Sequence, residues 1–351
     1  MENKRTTREY TLSVIIPNHN KAGSLHHCLE ALAASVVQPG EVIVVDDAST
    51  DDSAAVVRRF VCRLVRLPQQ AGAARARNVG AGQARGDILF FIDSDCLVEP
   101  DTLGRVLAGY GRSEPGVVLG GTYTPRPFDR GFHSFFQSVF IHHCETANLN
   151  QPDYLATHAL VIKAAEFRKN GGFAEDFLPI LEDVEFSHRL RRAGYRLRMD
   201  PDIRVRHDFG YDLSKSLANG VRKARYWTAY SIGNRDLLRD SGTASRELKA
   251  NTVIFGLLAM LGAGTIVLPA AITLAAALVL LPASVLNSRA LLRSFFKAGG
   301  PAFGLAAAGY YLFVYPMAVA AGGLGGLITY LLWKKDGTSL PHARPREEKL
   351  V

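Results

Sequence analysis

No charged residue occurs between Ala250 and Ser288, nor between Ala298 and Trp333. Nothing else in the chain restricts its fold so severely. A helix rises about 1.5 Å per residue, so the first stretch as one rod would be roughly 58 Å long, against a hydrocarbon core of about 30 Å. Pro269 lies near its middle, where a ring without an N–H interrupts a helix. A hairpin of two spans, 251–268 and 270–287, therefore fits both the length and the break. The second stretch holds a further tilted span or a broken pair over 301–333, with Pro316, Gly322, Gly323, Gly325 and Gly326 as the residues that could break it. Two buried helices of a soluble core are disfavoured, because core helices seldom run so long without a charge. Short cytoplasmic loops collect Lys and Arg. Lys215, Arg222, Lys223, Arg225, Arg235, Arg239, Arg246 and Lys249 face only Asp236, Asp240 and Glu247 within 213–249, which puts the N-terminal part on the cytoplasmic side. Arg289, Arg293 and Lys297 put the connecting loop there too, as a two-span hairpin requires. Lys334 and Lys335 favour the same side, so a single last span would violate the rule. The tail 336–351 is polar and Pro-containing and is expected to be disordered.

The net charge of +8, from 41 Lys and Arg against 33 Asp and Glu, would suit nucleic acid, an anionic membrane or a phosphorylated substrate. Its distribution narrows that choice. Residues 1–184 carry 18 basic and 22 acidic side chains, 185–249 carry 15 and 8, and 250–351 carry 8 and 3. The first half is thus no nucleic-acid-binding surface. With 48% apolar and 21% charged residues, a disordered or fibrous chain is excluded. Cys28, Cys62, Cys96 and Cys144 form no C-x-x-C pair, so reduced thiols are expected rather than a disulfide framework or a zinc knuckle. The opening MENKRTTREY lacks the apolar core of a signal peptide, and the first domain is expected to fold in the cytosol.

Ahead of the apolar stretches, Leu12–Pro17, Val42–Asp46, Arg63–Leu67 and Ile88–Asp93 are continuous apolar or β-branched runs, as strands buried on both faces require. Lys21–Ser35, Ser53–Phe60 and Gly72–Arg85 between them have helical length. The spacing predicts βαβαβαβ, an α/β fold with a mostly parallel sheet flanked by helices. Ligands of such sheets bind beyond the carboxyl ends of the strands, which is where Asp46, Asp47, Asp93 and Asp95 fall. A buried strand that releases Asp93 and Asp95 one residue apart offers hard oxygen ligands for Mg²⁺ or Mn²⁺ held against a diphosphate. There the ion would stabilise the charge on a departing nucleoside diphosphate. Alone, the D-x-D pair reads equally as a loop or helix cap, and Asp46-Asp47 as an acidic turn capping the helix at Ser53.

The pair does not stand alone. SVIIPNHN (13–20), VVDDASTD (44–51), ARNVGA-x-x-A-x-GD (76–87) and FIDSD (91–95), followed by GGF (171–173) and LEDVEF (181–186), occur in this order. With these motifs the chain resembles a family 2 glycosyltransferase of the GT-A, Rossmann-like fold over residues 10–210. It departs at His19, where an aromatic is usual, and at Ala48, where Gly is usual. The resemblance implies that Pro17, His19, Asn20 and Asp47 border the nucleotide, that Arg77 faces it, and that Asp93 and Asp95 face the sugar-nucleotide and its metal. Arg77 read without the resemblance is a surface helix residue. Glu182-Asp183 opens a helix whose Val184, Phe186, Leu190 and Ala193 can pack inward, with Gly194 as its stop. Carboxylates in a first turn are favoured by the helix dipole in any case. In the family this pair supplies the catalytic base: an inverting transfer needs a carboxylate to take the proton of the attacking hydroxyl, Asp183 in that role with Glu182 in support. His207 follows a strand over 198–205, and in related enzymes such a His approaches the metal or diphosphate; a surface His is the other reading. His133, His142, His143 and His158 show no consistent metal-ligand spacing and stay unassigned.

Processive synthases of the family carry Q-x-x-R-W before their membrane helices, and Val221–Trp227 here lacks it, which disfavours a processive enzyme. Arg222, Lys223, Arg225, Tyr226, Trp227 and Tyr230 look like an interfacial helix, with basic residues for lipid phosphates and aromatics at headgroup depth. The expectation is a non-processive, membrane-anchored, inverting and metal-dependent glycosyltransferase of the cell envelope. Its parts are a catalytic domain (1–212), a basic juxtamembrane segment (213–249), transmembrane helices (250–335) and the tail (336–351). The donor is a nucleotide-sugar, and the acceptor a hydroxyl or phosphate of a lipid-linked or saccharide molecule at the cytoplasmic membrane face; no nucleic acid is bound. A nucleotidyltransferase is the alternative enzyme, but Pro17-Asn18-His19-Asn20 is not its Gly-rich basic loop. A catalytically silent membrane scaffold is the alternative from another class, and intact Asp47, Asp93, Asp95 and Asp183 argue against it. A dehydrogenase is weaker still, since no G-x-G-x-x-G follows the first strand.

Overall fold

A computed structural model of the chain describes residues 10–264 and 269–335. The expected tail 336–351, the opening nine residues and the end of the first apolar span at 265–268 lie outside the described residues. The chain forms two compact units, residues 10–129 with 145–209, and residues 130–144 with those from 210 onward.

The first unit is built on strands β1 (Leu12–Asn18), β2 (Glu41–Asp46), β3 (Arg63–Arg66), β4 (Ile88–Phe91), β5 (Cys96–Val98), β6 (Val117–Tyr123), β7 (Leu160–Lys163) and β8 (Arg196–His207). Helices α1 (Ala22–Ala33), α2 (Ser53–Val57), α3 (Ala73–Gln83) and α4 (Thr102–Gly111) alternate with the early strands. Next in the chain come α5 (Phe132–Thr146), nearly all of which belongs to the second unit, and then α6 (Ala164–Lys169) and α7 (Glu182–Arg192) of the first. One eight-stranded sheet runs in the order β3-β2-β1-β4-β7-β6-β8-β5. Its first half is parallel throughout, as the continuous apolar runs required. The second half is mixed: β7 runs antiparallel to β4 and β6, β8 is parallel to β6, and β5 is antiparallel to β8. Every residue of β1 is buried. Ile15, Val45, Phe91, Phe167, Phe173 and Phe186 belong to one apolar cluster, and each buried side chain of this size contributes about 1.5–3 kcal/mol. A methyl added at Gly80 would stand 2.6 Å from Ile15 Cγ2 and 3.1 Å from Val45 Cγ2, so a glycine here lets α3 lie directly on the sheet. That close approach sets Arg77, one turn earlier, at the carboxyl ends of the strands. In α7, Val184, Phe186 and Leu190 pack inward as expected, but Ala193 is exposed at the helix end, and Glu185, Ser187 and His188 are buried instead.

The second unit contains α8 (Leu213–Asn234), α9 (Arg246–Gly264), α10 (Ala270–Asn287), α11 (Arg289–Gly309) and α12 (Tyr315–Lys335), with a π-helical turn over Tyr310–Val314. Pro269 immediately precedes α10, where the hairpin break was expected. A kink at Gly300 (φ 75°, ψ −174°) precedes Pro301. From Pro301 the helical path continues through the π turn to Lys335, so Pro316 and the glycines do not divide it into a pair. The glycines have another use: methyls at Gly322 and Gly326 would fall 2.7 Å from Ala224 Cβ and from Thr228 Cβ, and their absence lets α12 and α8 approach backbone to backbone. Trp227 and Tyr230 of α8 are buried as well. Among the described residues, Ala270–Asn287 and Arg289–Lys334 are long and apolar enough to cross a membrane. Leu274, Leu278, Val279 and Leu286 on α10 are 63–68% exposed, a larger apolar face than water tolerates. All four cysteines are free.

Candidate active site

At the end of β1, His19 Nδ1–H donates to the Asp47 carbonyl at 2.6 Å, leaving Nε2 to accept from Asn20 Nδ2 at 3.1 Å. Asn20 Oδ1 accepts from Thr50 N at 2.8 Å and Asp51 N at 3.3 Å. Asn20 (φ 52°) and Ala48 (φ 57°) both hold the left-handed backbone. Asn enters that region readily, and Ala does so at a cost. The carboxylate of Asp47 accepts from Ala71 N at 2.7 Å and Gly72 N at 2.8 Å, fixing the loop that opens α3. Asp46 is buried and pairs with the exposed Arg66 at 3.3 Å. Neither caps α2, whose N-cap residue is Asp52; Asp51 just before it accepts from Ser53 N at 3.0 Å.

Arg77 joins the motifs. Its guanidinium is 4% exposed and donates from Nη2 to Asp93 Oδ1 and from Nη1 to Glu182 Oε1, both at 2.6 Å. It lies 5.9 Å from the Phe173 ring, in the range of a cation–π contact. Asn78, the next residue, clasps the turn before α7: Asn78 Nδ2 donates to Phe173 O at 2.8 Å, and Asn78 Oδ1 accepts from Phe173 N at 2.9 Å. Gly171 (φ 74°) and Gly172 (φ 65°) make that turn, and a methyl at Gly172 would stand 2.5 Å from Asn78 Oδ1. Burial alone would raise the Asp93 pKa, but Arg77 outweighs it and holds the carboxyl below its usual range. Leu181 enters α7 in a left-handed conformation (φ 80°), a strain typical of functional sites. Asp183 follows, its Oδ1 accepting from Val184 N at 2.8 Å. Burial, and next the charge of Glu182, push its pKa up to about 7 against the pull of Arg77. Such a carboxyl is poised to exchange a proton near neutrality.

The register Cys96↔His207 between β5 and β8 carries His207 to the D-x-D turn. Asp95, 6% exposed, is paired through Oδ2 with Lys21 Nζ and stands 3.4 Å through Oδ1 from His207 Nε2. Donor atoms of Asp95, Cys96 and His207 lie within 4.8 Å of one another. Burial pushes the Cys96 thiol far up, so it stays protonated. Burial also lowers the His207 pKa, keeping the imidazole neutral, and its buried Nδ1 has no hydrogen-bond partner. A carboxylate with a neutral imidazole fits a hard divalent cation such as Mn²⁺ or Mg²⁺. His207 stacks on Phe209 at 3.9 Å and meets the edge of Tyr123 at 5.1 Å. His158 stacks on the other side of this group, 3.9 Å from Tyr123 and 3.4 Å from Glu145. Burial opposes its charge, but Glu145, Asp93 and Asp183 raise its pKa.

Residues 13–164 match the family model described as glycosyl transferase family 2. Over these residues the chain carries a glycosyltransferase family 2 domain. Its relatives include the validoxylamine A glucosyltransferase of Streptomyces hygroscopicus subsp. jinggangensis, 31% identical over 218 residues that cover 52% of each chain. An uncharacterized glycosyltransferase of Haemophilus influenzae is 36% identical over 186 residues, 51% of this chain and 61% of the relative. Glycosyltransferase AglE of Haloferax volcanii is 26% identical over 234 residues, 64% and 76% of the two chains. The chain spans about half the length of the first of the curated relatives it matches. Among solved structures, the mannosyltransferase PcManGT from Pyrobaculum calidifontis in complex with GDP-Man and Mn²⁺ superposes with a TM-score of 0.56 at 20% identity, over 94% of this chain and 89% of that one. That likeness is one of fold, the GT-A type.

The expected residues separate into three groups. Pro17, His19, Asn20 and Asp47 share one hydrogen-bonded corner at the ends of β1 and β2. Arg77, Asp93, Glu182 and Asp183 form a second group, in which Arg77 faces two carboxylates. Asp95 and His207 form the third, with Cys96 beside them. Lys21, Tyr123, Glu145 and His158 belong to the site and were not singled out by the sequence. Lys21 directly follows PNHN and could have been suspected from that place; His158 has no local signal, because only the strand order brings it to Asp93.

Proposed function

We propose that the chain transfers a sugar, with inversion, from a nucleotide-sugar to a hydroxyl or phosphate of a lipid-linked acceptor at the cytoplasmic membrane face. The observation that carries this reading is the Asp183 carboxyl, pushed to about 7 beside a Glu182 that Arg77 ties to Asp93. Asp183 takes the acceptor's proton as its oxygen forms a bond to the anomeric carbon, and the bond from that carbon to the diphosphate breaks on the opposite side. His19, Asn20 and Asp47 shape the nucleotide corner. Asp95 and His207 would hold Mg²⁺ or Mn²⁺, which supplies charge stabilisation to the leaving diphosphate. The mannosyltransferase of like fold, crystallised with GDP-Man and Mn²⁺, supports a donor and a cation of these classes.

The test is incubation of the purified full chain with a panel of nucleotide-sugars, Mn²⁺ and polyprenyl phosphate, with NMR of the product. Release of nucleoside diphosphate and a product of inverted anomeric configuration are expected. Retained configuration would exclude Asp183 as a simple base, and pyrophosphate release would turn the reading to nucleotidyl transfer. The membrane part of the proposal has its own check. Lys297 is exposed in α11, and a cysteine replacing it should react with a membrane-impermeant thiol reagent only after cell lysis; labelling of intact cells reverses the topology.

A further inference from the structure

On the reading that Asp95 binds a divalent cation, we infer that Lys21 is the cation's stand-in, neutralising Asp95 in its absence and passing to the donor's diphosphate when the ion arrives. Three observations lead there. First, Asp95 is nearly buried, and a buried carboxylate without a counter-charge is costly; in this chain Lys21 Nζ supplies the charge at Oδ2. Secondly, the two partners differ in freedom. Asp95 is held in the tight turn between β4 and β5, whereas the Lys21 side chain is 48% exposed and sits on a flexible stem with a compact charge. Its backbone is fixed at the junction of β1 and α1, so only the ammonium end has to move. Thirdly, the diphosphate needs a cation that the incoming ion can set free. Arg77 cannot serve, since both its arms are held by Asp93 and Glu182.

A lysine side chain is an ammonium at neutral pH. An ion of charge +2 seated between Asp95 and His207 would share the carboxylate with this ammonium, and the two cations repel. The nearest new anion is the diphosphate that the ion accompanies, and lysine is a common phosphate ligand. The consequence is coupling. The ion alone must evict Lys21 and binds weakly; the ion with a nucleoside diphosphate gives Lys21 a new partner and binds well.

The test uses the full-length chain in detergent, with Lys21→Met, which keeps the stem and removes the charge, and Lys21→Arg, which keeps the charge. Mn²⁺ alone is titrated by electron paramagnetic resonance, and GDP and UDP are titrated by calorimetry with Mn²⁺ present. Lys21→Met should bind Mn²⁺ alone about tenfold more tightly and the nucleoside diphosphate with Mn²⁺ about tenfold more weakly, within the range of coupled sites. Lys21→Arg should restore the wild-type order of the two affinities. Affinities that move in the same direction in Lys21→Met, or do not move, overturn the inference while leaving the metal site in place. Unchanged Mn²⁺ binding in Asp95→Asn would instead remove the metal reading, and this inference with it. Lys21→Met leaves Asp95 without its counter-charge and should lower the melting temperature, so binding is measured well below that transition, and a far-UV circular dichroism spectrum like that of the wild type excludes misfolding as the cause.

Discussion

The strands β3-β2-β1-β4 and the strands β7-β6-β8-β5 serve the site differently. In the first half β1, β2 and β3 are each followed by a helix, and every pairing is parallel. Its charged side chains are all spoken for: Asp47 by two backbone amides, Asp93 by Arg77, Asp95 by Lys21. The second half and its loops bring Tyr123, His158, Glu182, Asp183 and His207 from segments far apart in the chain, and here burial with the charge of Glu182 pushes the Asp183 pKa up to about 7, while Glu145 and other carboxylates raise that of His158 against its burial. The physical difference is the balance of burial against partners. Where a guanidinium or an amide pair answers a carboxylate, the anion is fixed and suited to binding; where burial meets a like charge, the proton is held and suited to transfer. Arg77 holds a carboxylate from each half.

The comparison breaks most readily at Asp183. Asp183→Asn keeps shape and helix start but cannot take a proton, so transfer should fall by about 10²–10⁴-fold, while calorimetric donor affinity stays. Loss of donor affinity along with turnover would move Asp183 into the binding half. Arg77→Met comes next. It leaves Asp93 and Glu182 without their buried counter-charge, and breaking such a pair costs about 3–5 kcal/mol, to be read from chemical denaturation. A loss below 1 kcal/mol would mean that Arg77 does not join the halves.

The pH dependence sharpens the contrast. Asp183 works deprotonated and holds its proton below about 7, so the rate should rise with pH through that value. Glu182→Gln removes the second cause of the shift and should move the midpoint down; a midpoint in the ordinary carboxylate range for the wild type would erase the distinction. Stability carries the opposite sign: the raised pKa favours the folded state at low pH, and that contribution is lost as pH climbs from the usual carboxylate range through about 7. The smallest effect belongs to Ala48, whose φ of 57° strains a residue with a Cβ. Ala48→Gly should raise stability by about 1 kcal/mol, seen as a small increase in melting temperature, and no gain would show that the loop is relaxed.

The parallel half was legible because its signals are local. A continuous apolar run followed by a helical stretch and a carboxylate requires no knowledge of distant partners, and β1, β2, β3 and β4 fall on the runs that suggested them. The glycines of 322–326 show the limit of such reading. Glycine in an apolar stretch signals a break or a close approach with equal force, and only the presence of α8 against α12 selects the second. Trp227 and Tyr230 are similar, since an amphipathic aromatic suits a headgroup layer and a helix interface alike.

The sequence by itself therefore determined the strand ends where Asp47, Asp93 and Asp95 emerge, the helix opening with Glu182 and Asp183, and the apolar stretches of membrane length. Tertiary structure alone decided that Cys96 faces His207, that Arg77 spends its charge on two carboxylates, that Lys21 reaches Asp95, and that His158 enters the site. The reason is that a side chain's identity fixes which charges it can carry, whereas its pKa and partners depend on desolvation and on neighbours supplied by strand pairings tens of residues away.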